Sequence, residues 1–166
     1  KQINKKKFNR SYVPLWFIKA VKKSRLNLQE IIENISEEPS LHLVFKNNNL
    51  IDTFKEEYDK TSDLSVFLKN RKQIKDLEDY EKGHWWVQDL SSMLPLHLSP
   101  EIRSKKVLDM CAAPGGKAFQ AISLNNDVTL NDINLKRIKT LSTNLKRLNF
   151  SNKIKNYNAL DITEDE

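Results

Sequence analysis

Glycine is scarce in this chain, with three residues in 166: Gly83, Gly115 and Gly116. Glycine is used where the backbone needs a positive φ or a close approach, so two adjacent ones in a glycine-poor chain mark a special turn. Cysteine occurs once, as Cys111, which excludes an internal disulfide and agrees with a reducing compartment. No run approaches the roughly 18 apolar residues that a membrane span needs. No charged-then-apolar leader follows Lys1 either. A cytoplasmic location without a membrane partner is therefore expected. His84 and His97 stand apart from any Cys or acid cluster at ligand spacing, so no metal site is expected. Nothing in the sequence sets an oligomeric state.

Acids are missing from residues 1–25, which hold Lys1, Lys5, Lys6, Lys7, Arg10, Lys19, Lys22, Lys23 and Arg25. Those nine cations exceed the formal charge of +6, so the other 141 residues carry a net −3. A second acid-free run covers 133–160, with Lys136, Arg137, Lys139, Lys146, Arg147, Lys153 and Lys155. Two basic runs on an otherwise slightly acidic chain suit a polyanion partner held by salt-sensitive phosphate contacts.

What is present is 39% hydrophobic and 30% charged, enough apolar material for a core. Helical spacing over Trp16–Ser24 and Asn27–Ile35 predicts two short helices, the second with Leu28, Ile31, Ile32 and Ile35 on one face. Leu41–Lys46, Ser65–Leu68 and Trp85–Gln88 read as strands, and Ile51, Phe54 and Tyr58 give Leu50–Lys60 a helical spacing. Of Trp85 and Trp86, one is expected to pack inward. Beyond this small mixed α/β unit the rhythm changes. A short helix, Ser91–Leu98, precedes strands at Lys106–Met110, Val128–Asp132 and Ile154–Asn158, alternating with helices at Gly115–Leu124 and Leu135–Leu148. Strands alternating with helices through short connections predict a parallel, doubly wound sheet, with ligands bound at the strand C-termini.

The chemistry gathers at Val107-Leu108-Asp109-Met110-Cys111-Ala112-Ala113-Pro114-Gly115-Gly116-Lys117. A buried strand ends in a loop of small residues and enters a helix at the glycines. Unpaired N–H groups and the positive end of that helix would face a carboxylate or a phosphate. A P-loop is excluded twice: Cys111 stands where its first Gly belongs, and Ala118 where its Ser/Thr belongs. The Gly-x-Gly-x-x-Gly dinucleotide fingerprint is absent. S-adenosylmethionine remains. Asp132, 16 residues past Gly116 at the next strand tip, suits two ribose hydroxyls. The same residue would also serve as a helix N-cap.

The run Cys111–Lys117 resembles the cofactor loop of the RsmB/Sun/NOP-type RNA (cytosine-5) methyltransferases. Val87-Gln88-Asp89-Leu90-Ser91-Ser92 resembles that family's lead-in. Asp132-Ile133-Asn134 and Asn144-Leu145-Lys146-Arg147-Leu148 resemble its second-strand acid and following helix. The likeness is strong over 83–160 and weaker over 12–82, where Leu43-Val44-Phe45-Lys46 departs from a pattern ending Arg-Val-Asn.

The resemblance implies a truncated class I S-adenosylmethionine-dependent methyltransferase: a Rossmann-like, doubly wound, mostly parallel sheet over 83–166. A basic segment and small α/β RNA-facing domain over 1–82 would precede it. It implies that Cys111, Ala112, Ala113, Pro114, Gly115, Gly116 and Lys117 wrap the methionine part of S-adenosyl-L-methionine and that Asp132 holds its ribose. Asn158 matches an adenine-contacting Asp. Gln88 and Asp89 would orient the loop, and Asp109 would anchor it through backbone hydrogen bonds. The implied reaction is methyl transfer to C5 of a cytosine in RNA, ribosomal RNA above all.

The family's nucleophile is a cysteine thiolate that adds to C6. It belongs to segments after strands four and five, so Cys111 is a cofactor-loop residue, and no catalytic residue is assigned here. Lys1 in place of Met and the end at Glu166 lead us to expect a piece of a longer protein, without catalysis of its own. Rival readings are a non-catalytic RNA-binding module of the same ancestry, and a methyltransferase for tRNA or another acceptor.

Overall fold

A computed structural model describes residues 13–36, 39–70 and 72–161. The first five cations of the N-terminal basic run, Lys1 to Arg10, lie outside the described residues, as do residues 162–166. The chain divides into two compact units, Lys1–Pro39 and Ser40–Glu166.

The first unit holds helices α1 (Leu15–Lys23) and α2 (Leu28–Ser36). Pro14 pre-sets the entry to α1, and its carbonyl accepts from Phe17 N and Ile18 N at 3.0 and 3.2 Å. The Asn27 side-chain oxygen accepts from Gln29 N and Glu30 N, capping α2. Val21 and Ile32 are buried, while Lys19, Lys22, Lys23 and Arg25 stay exposed.

The second unit contains two sheets. Strands β1 (His42–Phe45), β2 (Tyr58–Ser62), β3 (Ser65–Leu68) and β4 (Trp85–Val87) form an antiparallel sheet in the order β2-β3-β1-β4. Strands β5 (Lys106–Asp109), β6 (Asp127–Asn131) and β7 (Ile154–Lys155) form a parallel sheet in the order β5-β6-β7. Helices α3 (Asn49–Asp52) and α4 (Leu90–His97) belong to the first half. Helices α5 (Gly116–Ser123) and α6 (Leu135–Arg147) are the crossovers β5-α5-β6 and β6-α6-β7. The expected Rossmann-like α/β pattern of parallel strands and crossover helices is present.

β1 and β4 bury both faces, which is why neither shows a simple inside–outside alternation. Leu43, Phe45 and Trp85 join Ile51, Phe54, Val66, Leu68 and Leu77 on one side. Val44 and Trp86, paired across the two strands, join Met93, Phe119, Val128, Leu130, Leu141, Leu145 and Leu148 on the other. Trp85 and Trp86 are therefore both inward, at 0% and 2% exposure, rather than one of them.

The helix expected over Leu50–Lys60 forms only as Asn49–Asp52, and Tyr58–Ser62 is a strand instead. Ile51, Phe54 and Tyr58 do share one cluster, since Phe54 stacks near Phe45 at 5.2 Å and near Tyr58 at 6.2 Å. They do so because a short helix and a hairpin bring them there. Pairing of Tyr58 with Leu68 and Lys60 with Val66 outweighs the local spacing. The last strand also stops at Lys155 rather than Asn158.

The C-terminus of α6 is docked on the antiparallel sheet's connections. Gly83, at φ +66°, lies so close to α6 that a Cβ there would sit 1.9 Å from the Arg147 carbonyl oxygen. Arg147 donates to the carbonyls of Tyr80 (2.7 Å) and Trp85 (3.1 Å) and lies 4.2 Å over the Tyr80 ring. Lys46 donates to the Leu148 carbonyl and lies over Phe150. Lys46 thus satisfies a carbonyl at the negative end of the helix, and the Arg147 charge sits in its last turn.

Candidate cofactor site at the β5–α5 loop

β5 delivers its chain end to a loop stitched to its neighbours by main-chain groups. The Asp109 carboxylate accepts from Cys111 N at 3.1 Å, so Asp109 anchors the loop as expected. Ala112 N donates to the Asn131 carbonyl at 2.8 Å, and Ala113 N to Asp132 Oδ2 at 3.2 Å. Arg137 donates to the Ala113 carbonyl, and Asn144 to the Pro114 carbonyl at 3.0 Å. The Ala113–Pro114 peptide is cis. Gly115 has φ +125°, and a Cβ there would fall 1.8 Å from the Phe119 ring, so its glycine is required on both counts. No side chain caps the N-terminus of α5, which begins at Gly116 with its positive end open. Burial pushes the Asp109 carboxyl up from its usual range. The Cys111 N–H and the Lys117 charge oppose that, and the Asp132 charge adds to it.

Asp132 sits at the tip of β6 with 1% exposure. Besides Ala113 N, it accepts from Asn134 N at 2.9 Å through Oδ1, and Arg137 Nη1 lies 3.4 Å from Oδ2. It is not the cap of α6. Asn134 is, accepting from Lys136 N and Arg137 N. Asn131, fully buried, donates to the carbonyls of Met110 (3.1 Å) and Tyr157 (3.2 Å) and accepts from Tyr157 N at 2.9 Å. One amide thus ties together the chain ends of β5, β6 and β7.

The lead-in segment supports the loop from the other side. Gln88 is buried, accepts from Trp86 Nε1 (2.8 Å) and donates to Gln120 Oε1 (2.9 Å); Gln120 in turn donates to the Met93 carbonyl at 3.0 Å. The Gln88 side chain also underlies Gly116, 3.5 Å from where a Cβ would stand. Asp89 caps α4 by accepting from Ser92 N, and Ser92 Oγ accepts from Lys117 Nζ at 2.6 Å. Buried His42 contacts the Gln88 carbonyl at 2.6 Å through Nδ1. A carbonyl can only accept, so Nδ1 carries the proton. Burial holds this imidazole below its usual pKa.

Cys111–Lys117 and Asp132 are therefore brought together. Asn158 is not: it is exposed in the loop beyond β7, where its side-chain oxygen accepts from Leu160 N. Sequence reasoning missed Asn131, Gln120, Arg137 and Asn156, whose amide donates to the carbonyls of Asp132 and Ile133. A polar residue at the last position of a buried strand was the available signal for Asn131. The second basic run is also divided. Arg137 and Arg147 are spent on internal partners, while Lys136, Lys139, Lys146 and Lys153 remain exposed. No helix among the described residues is long and apolar enough to cross a membrane.

Residues 95–165 match the family model of the 16S rRNA methyltransferase RsmB/F. The chain is 42% identical over 79 residues to the human 28S rRNA (cytosine(4447)-C(5))-methyltransferase, covering 46% of this chain and 10% of that protein. It is 30% identical over 164 residues to ribosomal RNA small subunit methyltransferase B of Shewanella oneidensis, covering 90% of this chain and 38% of that protein. Its fold is similar to that of a methyltransferase homologue from Pyrococcus horikoshii. There the TM-score is 0.63 at 20% identity, over 76% of this chain and 46% of the other. The chain thus spans less than half the length of each of these proteins. The resemblance read from Cys111–Lys117 is borne out by these matches.

Proposed function

We propose that this chain, whose residues 95–165 match the RsmB/F methyltransferase family, provides the S-adenosylmethionine-holding part of an enzyme that methylates C5 of cytosine in ribosomal RNA. The observation that carries the reading is the loop itself. Its small residues lead into the open N-terminus of α5, and it is fixed at Ala112 and Ala113 to the tip of the next parallel strand. Cys111, Ala112, Ala113, Pro114, Gly115, Gly116 and Lys117 receive the methionine part, whose carboxylate suits the positive helix end. Asp132 receives the ribose. Among the described residues its Oδ1 takes one hydrogen bond, from Asn134 N, and a carboxylate oxygen accepts two. Asn158 stands apart from these residues, with its side-chain oxygen on Leu160 N, and is not assigned the adenine contact. Bound at the loop, the cofactor supplies an electrophilic sulfonium methyl group.

The chain's own residues bind and orient. Cys111 holds the loop through its N–H to Asp109 and is not assigned the attack on C6. In this reading residues 1–82 face RNA and 83–166 hold the cofactor. Exposed Lys19, Lys22, Lys23 and Arg25, and Lys136, Lys139 and Lys146, supply phosphate contacts. The target cytosine is unstacked, because pairing and stacking hide C5 and C6. The names of two relatives support the substrate: one is a 28S rRNA (cytosine(4447)-C(5))-methyltransferase and the other a ribosomal RNA small subunit methyltransferase. The test is methyl transfer by the intact protein that carries this chain, with the product read by nucleoside mass spectrometry. The expected product is 5-methylcytidine in ribosomal RNA, lost on Asp132→Ala. A methylated base other than cytosine, or a tRNA acceptor alone, contradicts the reading.

A further inference from the structure

Ala113 is gripped by both of its main-chain groups. Its N–H goes to Asp132 and its carbonyl to Arg137, while Arg137 and Asp132 also face each other at 3.4 Å. Three groups thus close a ring between the loop after β5 and the start of α6. We infer that Arg137 is a positioning residue of the cofactor site: it latches the Cys111–Lys117 loop to the Asp132 carboxylate and sets both for the ligand. This rests on the cofactor reading given above.

Three features separate this role from general support of the fold. First, Arg137 lies in the opening turn of α6, where a cation opposes the helix dipole and no acid offsets it. Its place there is compensated by Asp132 and the Ala113 carbonyl, both outside the helix. Second, its side chain is half exposed, whereas α6 packs through Leu141, Leu145 and Leu148. Removing Arg137 leaves that core contact intact. Third, the Asp109 and Asp132 charges are coupled across the loop, and the guanidinium supplies positive charge directly at Asp132. Without it, the two carboxylates beside the loop would be offset by the Lys117 charge and not by a cation at Asp132. A planar fork can serve a carbonyl and a carboxylate together, which a lysine ammonium cannot do in the same geometry.

The experiment titrates S-adenosylhomocysteine into the full chain and into Arg137→Ala and Arg137→Lys. It also measures amide hydrogen exchange of the ligand-free proteins. Arg137→Ala should weaken binding by about tenfold or more, the size of a lost hydrogen bond to a charged group. Exchange should quicken over 111–117 and stay unchanged over β1, β3 and β4. Arg137→Lys should recover part of the affinity through charge alone. Unchanged affinity and loop exchange in Arg137→Ala overturns the latch. Exchange that quickens evenly across Ser40–Glu166 overturns it too, since that marks a merely structural role. If the unaltered chain binds no S-adenosylhomocysteine, the cofactor reading falls, and loop exchange alone still decides whether Arg137 is a latch.

Discussion

Asp109 shows how a residue can serve the site at a cost to the fold. Its carboxyl is raised by burial, so between the ordinary carboxylate range and the raised value the folded chain binds more protons than the unfolded one. Stability therefore falls as pH rises through that window, and the charged form burdens the fold at neutral pH. Asp109→Asn keeps an acceptor for Cys111 N and removes the charge. Thermal unfolding should show the variant more stable at neutral pH, with the advantage gone below about pH 3.9, where the unfolded carboxyl is also protonated. Equal stability at neutral pH would contradict this. At this scale the sequence was informative where chemistry is carried by contiguous residues. Cys111–Lys117 and Asp132 could be named because a loop and a strand tip have fixed spacing. Asn131, Gln120 and Arg137 could not, because Met110, Gln88 and the Ala113 carbonyl that they bind lie 21 to 32 residues away in sequence and only the fold supplies them.

Among elements, the parallel half was read to within two or three residues and the antiparallel half less well. α5, β6 and α6 each carry buried residues and have short connections, so periodicity decides them, while β5 is exposed or half-buried along its length and is held by its pairing with β6. β2 has no such pattern, since its residues are exposed or half-buried and its place is set by pairing with β3. The docking of α6 was likewise invisible in the sequence, although the isolated Gly83 marked it. Gly83→Ala forces a methyl group into the Arg147 carbonyl at a positive φ. The expected loss is about 2 kcal/mol or more, as for other overpacked positions. Denaturant unfolding measures it. A loss under about 0.5 kcal/mol, the level of an ordinary surface change, would mean that α6 tolerates displacement from the β3–β4 connection.

Across the whole molecule, charge and fold divide the labour. Cations near the site or at helix ends are used internally, as Lys46, Arg137 and Arg147 show, while Lys19, Lys22 and Lys23 of α1 and Lys136, Lys139 and Lys146 of α6 stay on the surface. The antiparallel sheet is not a separate appendage. Val44 and Trp86 belong to the same cluster as Phe119 and Leu141, and Gln88 reaches the first turn of α5. The Cys111–Lys117 loop is thus supported from the antiparallel sheet by Gln88 and from the parallel sheet by Asn131 and Asp132. Gly116 offers a direct probe, because a Cβ there meets only ordinary contact with Gln88 at 3.5 Å and so spares the fold. The decisive measurement is calorimetric titration of S-adenosylhomocysteine into the chain, alongside Gly116→Ala and Asp132→Asn. One ligand bound per chain, with affinity reduced in both variants and the melting temperature of Gly116→Ala unchanged, is the predicted result. No binding, or binding indifferent to both substitutions, would contradict a cofactor site at the β5–α5 loop.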